Sequence, residues 1–505
     1  MPRVDRWSWL AVGLFAVGML VRAALYFPPA MYQLDSDAVI AGLCAFRVAD
    51  GQFPAFIPGG TRVGAASCYV AAAYFHLLGN GRVGLALTGL TWGALYLGFS
   101  LLFLRATLGR KLACLGFVFA LVPPEQFMTV TYAPWGYGEI MASCAATLWL
   151  ATLWRNCGAL WQRIAFGFSV GLGLWFSIQT LMIALPAIAW IALKRRRAML
   201  REAIPALPAV VVGFLPYLLA NVTRGFPSLT QNWASRPVSS WWQAGDNFVW
   251  LATYLAPKLF IREYAGWWSL PALLALAYMV VAVGFFVAAR TKARRPDAPC
   301  SLDELAQLLL LVSAAVALIF SFSNAGTVRG WTVRYVAPLY VAAPAACAVG
   351  VAALWRRARW LAVAAAAALI VPNLLFYGLP GSRLRAGQTA QRRDDELFRA
   401  LLAQRGIRMV YGNYIWVYHL NFDTDERVAG VPSDALYDYY DYGGRLTTSP
   451  VRWAAEGGRN EVRRWARVTG AHGITTTNGD LFVFIPDRPA PNAGRLLTTL
   501  RGAAP

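Results

Sequence analysis

Residues 335–377 read YVAPLYVAAPAACAVGVAALWRRARWLAVAAAAALIVPNLLFY. Two apolar runs, 335–354 and 360–377, are parted by a short basic stretch with Arg356, Arg357 and Arg359. Each run is close to the roughly 20 apolar residues that a helix needs to cross a bilayer core. The basic stretch between them has the character of a cytoplasmic turn. This stretch reads as two membrane spans joined on the cytoplasmic side.

The same pattern repeats outward along the chain. Arg105, Arg110 and Lys111 form one basic cluster, and Lys194, Arg195, Arg196 and Arg197 a second. A third holds Arg290, Lys292, Arg294 and Arg295. Apolar length and flanking charge give about eleven spans, near 7–27, 82–104, 110–126, 139–154, 162–176, 178–193, 203–220, 269–289, 304–322, 335–354 and 360–377. The fifth and sixth are short and are read as a tight hairpin or re-entrant pair, because that keeps Lys194–Arg197 on the basic side. The first run follows Arg3 and Arg6 and has spanning length, so it is read as an uncleaved helix with a cytoplasmic N-terminus.

Composition agrees. Of 505 residues 58% are hydrophobic and only 14% charged, and mean hydropathy is +0.47. Soluble proteins carry roughly 25% charged residues. The net charge of +21 sits in the inter-span clusters and forms no continuous basic face, which argues against a nucleic-acid partner. The seven cysteines and three histidines make no zinc-type spacing, so no metal ligands are assigned. Cys44 and Cys68 share an external segment and are either a disulfide or two small buried residues.

The fold expected is a polytopic α-helical membrane domain, 1–378, followed by a soluble α/β domain, 379–505, on the periplasmic side. Segments 28–81, 127–138, 221–268 and 323–334 then face the same side. The third holds Trp233, Trp241, Trp242, Trp250, Trp267 and Trp268, which suit a membrane interface or a face for sugar rings. In the tail, 397–405 reads as a helix with apolar residues at Leu397, Leu401 and Leu402. Ile407–Val410, Ile415–Leu420 and Leu481–Ile485 read as strands. The tail, 379–505, holds no GxGxxG or Walker sequence.

Chemistry-bearing residues gather in the external segments. Asp35 and Asp37 stand just beyond the first span, where carboxylates near lipid carry a solvation cost; Asp37 also suits a helix cap. Glu139 opens the fourth span, either as an acid favoured by the helix dipole or as a group facing the same pocket. Arg334 and Tyr335 stand at the external end of the tenth, where arginine either snorkels to the interface or grips a phosphate in a fork.

Leu34-Asp35-Ser36-Asp37, Asp50-Gly51-Gln52-Phe53-Pro54 and the stretch Gly59–Gly79 resemble the first periplasmic loop of GT-C class glycosyltransferases that use polyprenyl-phosphate sugars. That class includes protein O-mannosyltransferases and the aminoarabinose transferase of lipid A. Pro123-Pro124, Gly136-Tyr137-Gly138-Glu139, Gly171-Leu172-Gly173-Leu174-Trp175, Gly213 with Pro216 and Asn221, Arg334-Tyr335 with Pro338, and Tyr411-Gly412-Asn413-Tyr414 extend the resemblance. The chain departs from the family pattern at Ala38, Ser67 and Arg62.

The resemblance implies an inverting transfer from a polyprenyl-phosphate-linked sugar to a glycan, lipid or protein hydroxyl, in the cell inner membrane. Asp37, with Asp35 behind it, is the implied general base. Arg334 and Tyr335 would hold the donor phosphate, with Arg62, Lys258 and Arg236 as auxiliary contacts. Glu139 would orient the acceptor or a basic group. A divalent cation is left open. The alternatives are a flippase of lipid-linked sugars, against which the lack of an internal repeat counts, and an inactive sugar-binding relative.

Overall fold

The computed structural model of the chain describes residues 6–32, 36–59, 63–79, 81–132, 136–223, 225–226, 238–260, 269–290, 300–324, 334–378, 396–434, 440–442, 451–478 and 481–502. Asp35, Arg62, Arg236, Trp233, Trp267 and Trp268 lie outside them.

Helices come first along the chain: α1 Arg6–Tyr32, α2 Ser36–Ala49, α3 Ala66–Leu78, α4 Arg82–Leu108, α5 Arg110–Leu121, α6 Glu125–Tyr132 and α7 Tyr137–Asn156. Then follow α8 Leu160–Phe176, α9 Leu181–Arg195, α10 Ala198–Ala203, α11 Ala206–Thr223, α12 Trp241–Trp250 and α13 Ala256–Phe260. The last apolar helices are α14 Ser269–Arg290, α15 Leu302–Ser321, α16 Ala343–Arg357 and α17 Arg359–Gly378. The tail continues with a helix over 396–404, β1 Met409–Gly412, α18 Tyr414–Asp423, β2 Ala429–Pro432 and β3 Trp453–Gly457. It ends with α19 Arg459–Thr469, β4 Gly473–Asn478, β5 Leu481–Pro486 and α20 Ala493–Gly502.

Among the described residues, five helical segments are long and apolar enough to cross a membrane: Arg6–Ala24, Arg82–Leu108, Ile178–Arg195, Ala206–Thr223 and Leu302–Ser321. Three shorter apolar helical segments are Ala66–Leu78, Ala277–Ala288 and Arg359–Leu374.

Contacts divide the chain into two compact units. The first comprises Met1–Tyr26, Thr61–Ala66 and Thr88–Leu379; the second comprises Phe27–Gly60, Ser67–Leu87 and Pro380–Pro505. The first external segment, expected to belong with the membrane domain, is therefore grouped largely with the tail.

In the first unit α7 is buried along nearly its whole length and packs against α6, α8 and α9. Helices α8 and α11 approach closely. A Cβ added to Gly171 would meet the Val210 carbonyl oxygen at 2.1 Å, and one at Gly167 would meet that of Ala206 at 2.2 Å. Small residues four apart allow this backbone contact between apolar helices, where the hydrophobic effect supplies little attraction. A separate cluster packs Ala277 and Val281 of α14 with Val351 and Leu354 of α16 and Ala362 and Leu369 of α17.

Two boundaries differ from expectation, while the break expected between 162–176 and 178–193 is found where it was placed. The run 110–126 ends at Leu121, and α6 begins after Pro123-Pro124, which lack the N–H groups to continue a helix. The apolar stretch 160–195 breaks at Ser177, where a single 3₁₀ turn, Ile178–Thr180, follows an extended residue whose hydroxyl accepts from the Gln179 N–H. The run from 335 begins as a 3₁₀ turn over Ala337–Val341 and becomes α-helical only at Ala343.

The second unit contains a five-stranded sheet in the order β2-β1-β3-β5-β4. Strand β1 runs parallel to β2 and β3, and β5 antiparallel to β3 and β4. Helix α18 is the crossover from β1 to the parallel β2. It occupies Ile415–Leu420, expected as a strand. A short apolar run does not separate the two periods, and here Val417 and Leu420 join the core with Val410, Ala454 and Val483. The 396–404 helix buries Phe398 and Leu402, whereas Leu397 is exposed.

Candidate functional site

In the first unit the residues at issue meet at one end of α7. Gly136 has a positive φ of 97° and precedes the first turn of that helix, which carries Tyr137 and Glu139. Glu139 is fully buried. The guanidinium of Arg334 lies 5.9 Å from the centre of the Tyr137 ring and 5.4 Å from that of Tyr335. Such faces attract a cation through the ring quadrupole. The turn that follows Arg334 is anchored by Tyr340, whose hydroxyl donates to the Phe119 carbonyl at 3.0 Å.

Tyr340 is also the hub of an aromatic row. Its ring centre lies 4.9 Å from that of Phe127 and 5.8 Å from that of Phe260, and Phe127 lies 5.4 Å from Tyr96. Phe260 ends the short helix α13, which holds Lys258. The Lys258 ammonium donates to the Tyr254 hydroxyl at 2.7 Å. That tyrosine stacks on Trp250, ring centres 4.0 Å apart. Trp241 and Trp242 of the same segment are largely exposed.

Arg22 is a residue that the sequence reading passed over. It lies inside the first apolar helix and is only 1% exposed. Its Nη1 donates to the Met128 sulfur at 3.0 Å, and its guanidinium lies 5.7 Å from the Tyr96 ring centre. An arginine within a span costs roughly 2.5–3.5 kcal/mol on insertion scales and is a functional candidate by default. Its position inside an apolar run was the available signal.

The opposite end of α7 carries different chemistry. Arg155 forms an ion pair with Glu304 at 2.7 Å, and Lys194 approaches the same carboxylate at 3.5 Å. Arg195 pairs with Glu202 at 3.6 Å. These groups come from the C-terminal ends of α7 and α9, from α10 and from the start of α15.

Asp37 belongs to the second unit. It lies half-buried in the first turn of α2, inside the helix rather than capping it. Cys44 of α2 and Cys68 of α3 are joined in a disulfide. At the far end of α2, Arg47 is ion-paired with Glu426, which also accepts from the Tyr442 hydroxyl. Phe46 stacks on Phe422 of α18, centres 5.5 Å apart and planes 10° from parallel. Arg82 pairs with Asp423 at 2.7 Å, and Arg399 approaches the same carboxylate at 3.4 Å. Burial and the neighbouring Glu426 carboxylate push the Tyr442 hydroxyl well above its ordinary pKa, so it remains a donor.

Among the described residues no three of His, Cys, Asp and Glu are grouped as a metal ion would need.

No protein-family model matches the chain. No curated protein matches it either. Among solved structures it is similar to the crystal structure of ArnT from Cupriavidus metallidurans bound to undecaprenyl phosphate. The identity is 13%, the TM-score 0.68, and the match covers 95% of this chain and 98% of that one. The apo state of ArnT from the same organism gives 14% and 0.64, over 94% and 97%. The likeness is one of fold and runs along nearly the whole of both chains. The apolar helices and this fold are those of a multi-pass membrane protein.

Proposed function

We propose that the chain is an inverting glycosyltransferase of the cell inner membrane, moving a sugar from a polyprenyl phosphate to an acceptor hydroxyl at the periplasmic face. What carries the proposal is a fold shared almost end to end with a protein solved with undecaprenyl phosphate. Eleven spans with a cytoplasmic N-terminus are part of the reading. Helix α7, at 20 residues, would be about 30 Å long, the thickness of a bilayer core. Its Arg155 end, with Lys194 and Glu304, suits the cytoplasmic side. Its Glu139 end, beside Arg334, suits the outer side. The Cys44–Cys68 disulfide favours an oxidising compartment for α2 and α3.

In the proposed reaction the acceptor oxygen bonds to the anomeric carbon as the bond to phosphate breaks. Asp37 takes the hydroxyl proton. The electron pair leaves with the polyprenyl phosphate, whose growing charge is met by Arg334 in a bidentate grip. Tyr335, Lys258 and Arg62 are auxiliary contacts, Asp35 is the reserve base, and Glu139 orients the acceptor or a basic group. Arg334→Ala should weaken binding of polyprenyl phosphate by roughly 10–100-fold, the worth of a charged hydrogen-bond pair. Titration of the purified protein with undecaprenyl phosphate measures it, and unchanged affinity removes Arg334 from the phosphate.

A further inference from the structure

Beside the Arg47–Glu426 pair, within the second unit, lies a hollow of about 320 Å³ lined by Arg47, Gln52, Pro54, Pro58, Tyr440 and Asp441. That is at the lower end of the roughly 300–1,000 Å³ typical of small-molecule sites.

Arg47 is fixed from two directions. One of its nitrogens, Nη2, is held by Glu426, and the guanidinium lies 5.7 Å from the Tyr440 ring centre. That ring is anchored in turn, because the Tyr440 hydroxyl donates to the Ile40 carbonyl at 2.7 Å. Among the described residues, Nε and Nη1 of Arg47 donate no hydrogen bond; the Asp50 carboxylate stands 4.0 Å from Nη1. A planar donor is therefore held in place with an edge to spare. A rigid donor loses little entropy when it binds.

Charge selects the ligand. Among the described residues at the hollow, Arg47 is the one cation and Glu426, Asp50 and Asp441 stand near it, so their charges do not favour a phosphate or a uronate. A fixed guanidinium, an amide and a carboxylate together suit vicinal hydroxyl groups. The two prolines offer apolar patches to the C–H face of a pyranose.

Position separates this hollow from the transfer chemistry. Asp37 is in the first turn of α2 and Arg47 in its last. Ten residues of helix set them about 15 Å apart.

We propose that the hollow is a subsite for an uncharged sugar residue of the acceptor, held away from the reacting hydroxyl. This rests on the glycosyltransferase reading above for the word acceptor; the sugar site itself does not. The acceptor is then a glycan or glycolipid rather than a bare protein hydroxyl.

The test is saturation-transfer NMR on the full-length protein in nanodiscs. The probes are the methyl glycosides of glucose, galactose, mannose and N-acetylglucosamine, with inorganic phosphate as competitor. At least one glycoside should receive saturation, and phosphate should not displace it. Gln52→Ala and Asp441→Asn should each weaken that binding by roughly tenfold or more. Both side chains are exposed, and Asn tolerates the positive φ of 51° at position 441, so both variants should fold. Silence from all four glycosides, equal binding in both variants, or displacement by phosphate each overturns the proposal. Sugar transfer without glycoside binding sinks the subsite alone. Glycoside binding without transfer keeps the site and sinks the enzymatic reading.

Discussion

The two units hold themselves together by different means. In the first, helices meet backbone to backbone across Gly167 and Gly171, and among the described residues its ion pairs gather at one end of α7 and α9. In the second, a disulfide, two carboxylate–arginine clusters and a stacked aromatic pair link α2, α3, α4 and α18. The difference is the one that the proposed placement of the first unit in lipid and the second in water would produce. Lipid gives apolar side chains no reason to associate with each other, so close packing must supply the attraction. In water a small domain has a limited core, and cross-links and charge pairs add to it.

This contrast can be broken, beginning with the cross-link. The chain between Cys44 and Cys68 closes a loop with a sequence separation of 24, which the chain-entropy account values at roughly 3.5 kcal/mol. Replacing both by Ser should lower the melting temperature of the second unit and leave the first unchanged. Domain-resolved hydrogen exchange separates the two. Gly171→Leu should do the reverse. It forces apart two backbones and should cost the first unit about 3 kcal/mol, the upper part of the overpacking range, read as loss of monodisperse protein in detergent.

Glu426→Ala leaves Arg47 half-buried and without its partner. The expected loss is about 2 kcal/mol in the second unit, with Glu426→Gln recovering part of it.

Alkaline pH sharpens the same contrast. The Tyr442 hydroxyl has a raised pKa in the fold, so its contribution is fully present below the ordinary tyrosine value near 10 and is lost as pH rises above it. The stability of the second unit should fall above about pH 10. Tyr442→Phe should flatten that fall by up to about 1.4 kcal/mol per pH unit, one proton's worth. An unchanged slope would place the titration elsewhere.

Five helices of spanning length among the described residues were legible because a bilayer demands long uninterrupted apolar runs, and basic clusters mark where such runs end. The break at Ser177 was legible as punctuation, but its geometry was not, and the expected run 110–126 passed through Pro123-Pro124, where the helix in fact stops. Gly171 and Gly213 were noticed as part of a motif; the structure gives them a packing reason, since α8 and α11 touch there. The tail was harder. Ile415–Leu420 is too short for its period to decide between strand and helix, and the crossover from β1 to a parallel β2 decides it. Arg47 and Glu426 are 379 residues apart, so no local spacing announces their pairing. Arg22 was visible throughout as a cation inside a span and was read only as part of an apolar stretch.

The central claim is lipid-linked sugar transfer with Asp37 as the proton acceptor. It is tested most directly by incubating the purified chain with radiolabelled polyprenyl-phosphate sugars and membrane extract. The account predicts label on an acceptor with wild-type protein and a loss of roughly 10²–10⁴-fold in rate with folded Asp37→Asn, the usual worth of a general base. Label that crosses vesicles without joining an acceptor, or equal transfer by Asp37→Asn, would contradict it.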